Sequence, residues 1–147
     1  SRRAFSSSKF SMICEPLKPL AKIASGGEMS RIMLAFKNVI SSCDNIPTLI
    51  FDEIDAGISG ITASIVGRKL KEIASHHQII CITHLPQIAA CGVSNYRIYK
   101  ETDDEKTYTN IQKLSEEGRI EEIARLLGGT TVTETTLASA RELIASS

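Results

Sequence analysis

Two short apolar runs, each closing on polar residues and separated by one helical stretch, leave this chain few ways to fold. Thr48-Leu49-Ile50-Phe51 is opened by Pro47 and closed by Asp52-Glu53, and Gln78-Ile79-Ile80-Cys81-Ile82-Thr83 closes on His84. Short apolar or β-branched runs bounded in this way read as buried strands. Between them Gly57 and Gly60 mark a loop. A helix follows over about 60–75, with Ile61, Ile65, Leu70 and Ile73 expected to face inward. Strand, helix, strand at this spacing is a βαβ unit, which requires parallel pairing and a right-handed crossover. The fold class is therefore α/β.

Other elements attach to this unit. Ser25-Gly26-Gly27-Glu28 has capping-box spacing, a hydroxyl with a Glu three residues on. Behind it Met29, Ile32, Met33, Phe36 and Ile40 recur at helical spacing, which predicts a helix over about 27–41. Pro86 suits the first turn of a short helix ending near Gly92. Tyr96–Glu101 and Thr107–Leu114 read as a hairpin around the polar turn Asp103-Asp104-Glu105, a solvated tip. Two helices close the chain, over about 115–127 and 133–145. The first has Glu116 and Glu117 at its start, Arg125 near its end and Gly128 as its expected C-cap. Residues 1–24 show no helical period, with Pro16 and Pro19 bracketing a short extended piece. Residues 1–9 are expected to be disordered or extraneous, and residues 10–147 to form one domain.

Composition narrows the classes of function. Of 147 residues, 42% are hydrophobic and 23% charged, an ordinary globular balance that excludes disorder as the whole answer. Lys and Arg number 17, as do Asp and Glu, so the formal charge is zero. A domain built mainly to grip nucleic acid is usually clearly basic, so any DNA role is local or lies elsewhere in a larger protein. No apolar run reaches the ~20 residues that cross a bilayer, and the N-terminus lacks the apolar core of a signal peptide. Cys14, Cys43, Cys81 and Cys91 form no CxxC pair, which fits a reducing cytoplasm.

In an open parallel sheet, ligands bind beyond the C-terminal ends of the strands. Asp52-Glu53 and Thr83-His84 fall there and should share one edge. A strand-end carboxylate suits Mg²⁺, which prefers oxygen ligands and keeps several waters. The adjacent carboxylate can polarise a water, and a histidine across the site can donate to a phosphate oxygen. Gly26-Gly27 at a helix N-terminus exposes N–H groups to an anion. Each feature also has a structural reading. Asp52 can be a turn or helix cap, His84 a satisfied loop histidine and Ser25–Glu28 a good helix start. Cys81, His84 and Cys91 make a poor zinc set, with no fourth ligand at standard spacing. Ser25, His84 and Asp52 make a poor nucleophilic triad, with no nucleophile elbow. His76-His77 closes a helix, where cations suit the dipole.

The order of these motifs carries more than any one of them. Ser25-Gly26-Gly27-Glu28 resembles the signature motif of ABC-type ATPases, Thr48–Glu53 their Walker B strand, Asp55 their D-loop and His84 their switch histidine. Leu20–Arg31, Phe51–Gly60, Thr83–Ala89 and Ile120–Gly129 closely resemble the C-terminal part of the RecN family, SMC-like proteins of bacterial DNA double-strand-break repair and recombination. The likeness spans roughly residues 10–145. It implies a partly parallel sheet flanked by helices, with a hairpin and C-terminal helices, as the C-terminal half of an ATPase head. It also implies ATP and Mg²⁺ as cofactors. Asp52 would help to hold Mg²⁺ through water, Glu53 would activate the hydrolytic water, and His84 would contact the γ-phosphate. Ser25 and Gly27, within Ser25-Gly26-Gly27-Glu28, would face ATP held by a second head, and Asp55 would link the two sites.

The P-loop pattern GxxxxGK[ST] is absent, since no glycine precedes a lysine. In SMC-like proteins that loop lies near the N-terminus, before a long coiled coil. The partners implied are thus an N-terminal half carrying the P-loop, a second head in an ATP-sandwiched homodimer, and DNA, in the nucleoid and with no membrane. This half alone is expected to be inactive as an ATPase. A transporter nucleotide-binding domain and a non-catalytic dimerisation module are the alternatives.

Overall fold

The computed structural model describes residues 24–40, 45–103 and 106–147. The expectations for residues 1–23 and for the hairpin tip at 104–105 lie outside these. In chain order the elements are α1 (Gly26–Ile40), β1 (Thr48–Phe51), α2 (Gly60–Ile73), β2 (Gln78–Cys81), α3 (Pro86–Cys91), β3 (Tyr96–Asp103), β4 (Lys106–Lys113), α4 (Glu116–Gly128) and α5 (Glu134–Ala145).

β1 and β2 pair in parallel, with Thr48 opposite Gln78 and Ile50 opposite Ile80. The parallel pairing across an intervening helix is as the pattern required. β2 stops two residues short of the predicted Thr83, although the Ile82 N–H still reaches the Phe51 carbonyl at 2.9 Å. β3 and β4 form a separate antiparallel hairpin.

One core lies beneath the parallel pair. Leu34 of α1, Leu49 and Phe51 of β1, Ala63, Val66, Leu70 and Ile73 of α2, and Ile88 of α3 meet there, with Ile54 fully buried. A second core joins Ala90 of α3 to Ile123 and Ala124 of α4 and Ala140 of α5. The short helix α3 serves both cores, its Ile88 in one and its Ala90 in the other. The caps follow local chemistry. The Ser115 hydroxyl accepts the Gly118 N–H at the start of α4, and a Thr133–Thr136 capping box opens α5.

Three expectations need correction. In α2, Ile61 and Ile65 point outward, 81% and 47% exposed. The inward face is Ala63, Val66, Gly67, Leu70 and Ile73 instead. The reason is close packing: a Cβ on Gly67 would lie 2.7 Å from the Cys91 sulfur of α3. The C-cap of α4 is Gly129, not Gly128, because Gly129 takes φ 80° and most residues avoid that region. Finally, the strands are not buried on both faces. Leu49 and Phe51 point into the core, whereas Ile50 is 68% exposed and Ile80 and Ile82 are also exposed. The apolar stripe of α1 likewise leaves Ile32, Met33 and Phe36 exposed, and α1 buries Leu34. Parallel sheets ordinarily have both faces covered.

Candidate functional site

The Ser25–Glu28 turn forms as its spacing predicted. The Glu28 carboxylate accepts the Ser25 N–H at 2.8 Å and the Ser25 hydroxyl at 2.9 Å, while the Glu28 N–H reaches the Ser25 hydroxyl at 3.3 Å. The Ser25 backbone bond, then its hydroxyl, holds the Glu28 carboxyl below its ordinary pKa. Both glycines have a steric reason inside this chain. A Cβ on Gly26 would collide with the Glu53 carboxylate, and one on Gly27 would lie 2.7 Å from the Glu53 carbonyl oxygen. The helix start is therefore pressed onto the loop after β1.

Two further residues of α1 latch that loop. The Ser30 hydroxyl donates to the Asp52 carbonyl at 2.7 Å, and the Arg31 guanidinium donates to the carbonyls of Ile54 at 3.1 Å and Ala56 at 2.8 Å. These contacts bridge more than twenty residues, and nothing in the local sequence announces them.

At the end of β1, the Asp52 carboxylate accepts the Glu53 N–H at 2.9 Å. Glu53 has φ 55° and is the one non-glycine residue with positive φ among those described. Such a conformation costs about 1–3 kcal/mol and persists where the surroundings enforce it, often at functional sites. Asp55 is buried, 3% exposed. Its Oδ2 accepts the Thr83 hydroxyl at 2.5 Å and the His84 N–H at 2.8 Å, and lies 3.0 Å from His84 Nδ1. Burial alone would raise the Asp55 pKa, but these bonds from Thr83 and His84 outweigh it and lower the net value. In this chain the Asp55 side chain turns towards the residues after β2.

Ser25, Gly26, Gly27, Asp52, Glu53, Asp55 and His84 line one open cleft of about 450 Å³, together with Ala56, Ile82 and Thr83. Glu28 stands behind it, bonded to Ser25. The predicted site residues other than Glu28 thus come together at the C-terminal end of the parallel pair, the edge where such sheets place ligands. Thr83 is the lining residue that sequence reasoning noted but left unassigned.

The electrostatics are one-sided. Among the described residues, three carboxylates and one histidine are the ionisable groups of the lining. Cys81, just beneath, has its thiol pushed up to about 12, first by burial and then by the charges of Asp55 and Asp52. Among the described residues no three His, Cys, Asp or Glu side chains converge to hold a metal ion. The Asp52 carboxylate is of the oxygen-donor kind that could hold a hydrated Mg²⁺.

Comparison with known proteins decides the type. The chain is 50% identical over 130 residues to the DNA repair protein RecN of Vibrio cholerae and 44% identical over 130 residues to RecN of Bacillus subtilis, covering 88% of this chain in each case. The chain is RecN-like, and matches the C-terminal part of those proteins. It spans about a quarter of the length of these relatives, 24% and 23%. No family model matches the chain. A solved structure from work on ATP-driven dimerization and DNA-stimulated activation of SMC ATPases shares its fold, with TM-score 0.52 and 24% identity over 80% of this chain and 70% of that one. The RecN-like segment thus shares its α/β fold with that solved chain. Among its described residues no helix is long and apolar enough to cross a membrane.

Proposed function

We propose that this RecN-like segment is the C-terminal half of an SMC-type ATPase head, working in bacterial DNA double-strand-break repair. The observation that carries the reading is the convergence of Ser25–Gly27, Asp52–Glu53 and His84 on one cleft at the strand ends. When bound, Mg·ATP supplies the reacting phosphorus and a cation that neutralises charge. The residues of this chain do the rest. Asp52 holds the hydrated cation. The Glu53 carboxylate, set by the backbone at φ 55°, orients the attacking water and takes its proton. His84 donates to the terminal phosphate. Ser25 and the N–H groups after it present a helix N-terminus to the nucleotide of a second head, so that ATP joins two heads and hydrolysis parts them. This takes place in the cytoplasm, on nucleoid DNA that the longer protein engages.

The half-head reading also explains the open apolar surfaces. Ile50, Ile80 and Ile82 form one uncovered sheet face. We assign that face to the N-terminal half, which brings the P-loop and its lysine to offset three carboxylates. The test is Ile50→Asp in the longer protein. On a covered face the substitution buries an unpaired carboxylate and should destabilise the head by about 2–4 kcal/mol, read from denaturant unfolding. A change within ~0.5 kcal/mol, as at an ordinary surface site, would contradict the assignment.

A further inference from the structure

His84 is the cleft residue whose position depends most on a neighbour. It follows β2 in a stretch without helix or strand, and its side chain is 72% exposed. A ring this exposed has no packing to fix its rotamer, and ordering it against solvent costs entropy. Yet its Nδ1 lies 3.0 Å from Asp55 Oδ2, an oxygen that is itself buried and already bonded to the His84 N–H and the Thr83 hydroxyl. The Thr83 hydroxyl in turn accepts the Leu85 N–H at 3.1 Å. One carboxylate oxygen therefore ties together the loop after β1 and the turn after β2. Arg31 and Ser30 hold the first of these to α1.

We propose that Asp55 is a positioning residue for His84. Its buried carboxylate accepts from Nδ1, fixes the ring plane and turns Nε2 towards the cleft. With Nδ1 committed in this way, the ring is held in one orientation for contact with the terminal phosphate. Thr83 keeps the carboxylate oxygen in place. The role is internal to one head, distinct from a link across the dimer, and it rests on the function proposed above.

The test is a double-mutant cycle on ATP turnover in the longer protein. Asp55→Asn replaces the charged acceptor with a neutral amide, which weakens every bond that holds the ring and its turn in place. Loss of a partner that orients a functional histidine typically costs about 10–100-fold, so kcat should fall by that factor while ATP binding stays within about twofold. In the His84→Ala background, Asp55→Asn should cost nothing further, because residues acting as a unit are non-additive. If Asp55→Asn leaves kcat unchanged, or if the two losses multiply, the proposal is overturned. If His84→Ala alone leaves turnover unchanged, the functional reading of the cleft has failed instead, and the proposal falls with it. Should Asp55→Asn not fold, Thr83→Val enters the same cycle, with Thr83→Ser expected to restore kcat. Failure of Thr83→Ser to restore it would equally overturn the assignment.

Discussion

Glu53→Gln in the longer protein should slow ATP turnover by about 10²–10⁴-fold, the usual worth of a positioned general base. The amide keeps the reach of the side chain but loses its charge and basicity. Nucleotide binding should persist, since on the proposed reading it would rest on the P-loop and on Mg²⁺ at Asp52. The geometry favours a specific loss over a general one. Glu53 is exposed, and its backbone is set by the Asp52 bond and by the packing of Gly26 and Gly27, none of which needs the carboxylate to be charged. Single-turnover hydrolysis and equilibrium ATP binding, measured side by side, check this. Turnover at the unchanged rate would remove Glu53 from the catalytic role.

The second large effect concerns assembly. With hydrolysis stalled by Glu53→Gln, ATP should trap the heads as dimers, and adding Ser25→Arg should abolish that trapping. Ser25 sits exposed at the start of α1, with its hydroxyl and N–H closing the capping box on Glu28. An arginine there fills the space through which a partner's phosphate would approach the helix N–H groups. The lost cap itself costs about 1 kcal/mol, a small part of the roughly 5–15 kcal/mol that holds a domain folded. Light scattering with and without ATP reads the dimer, and the thermal midpoint confirms that the variant is folded. Dimers persisting with ATP would contradict the role given to Ser25.

Much of the fold is legible because it is decided locally. The capping box at Ser25 and Glu28, Pro86 opening a short helix and the paired apolar runs each fix an element within a few residues. The inward face of α2 is not decided locally. Ile61 and Ile65 have the right period and hydrophobicity, yet Ala63 and Gly67 face in because α3 comes so near that only small side chains fit. The open face of β1 and β2 was illegible for a related reason: a short apolar run says that a strand can be covered, not what covers it. In the cleft, motif order located Asp52, Glu53 and His84, since strand ends are marked by composition. The bonds from Thr83 to Asp55, and from Arg31 to the carbonyls of Ile54 and Ala56, join distant segments, so no local pattern encodes them.

This segment is proposed to supply the hydrolytic residues of a head whose phosphate cradle lies in an N-terminal half. The most direct measurement is Mg·ATP turnover by the segment alone and by the segment joined to an N-terminal half that carries the P-loop. Among the described residues three carboxylates and no lysine or arginine line the cleft, and the sequence holds no P-loop pattern, so the segment alone should show no turnover above buffer. The joined head should hydrolyse ATP, and lose that activity with Glu53→Gln. Hydrolysis by the segment alone, or a folded joined head that does not turn over, would contradict the account.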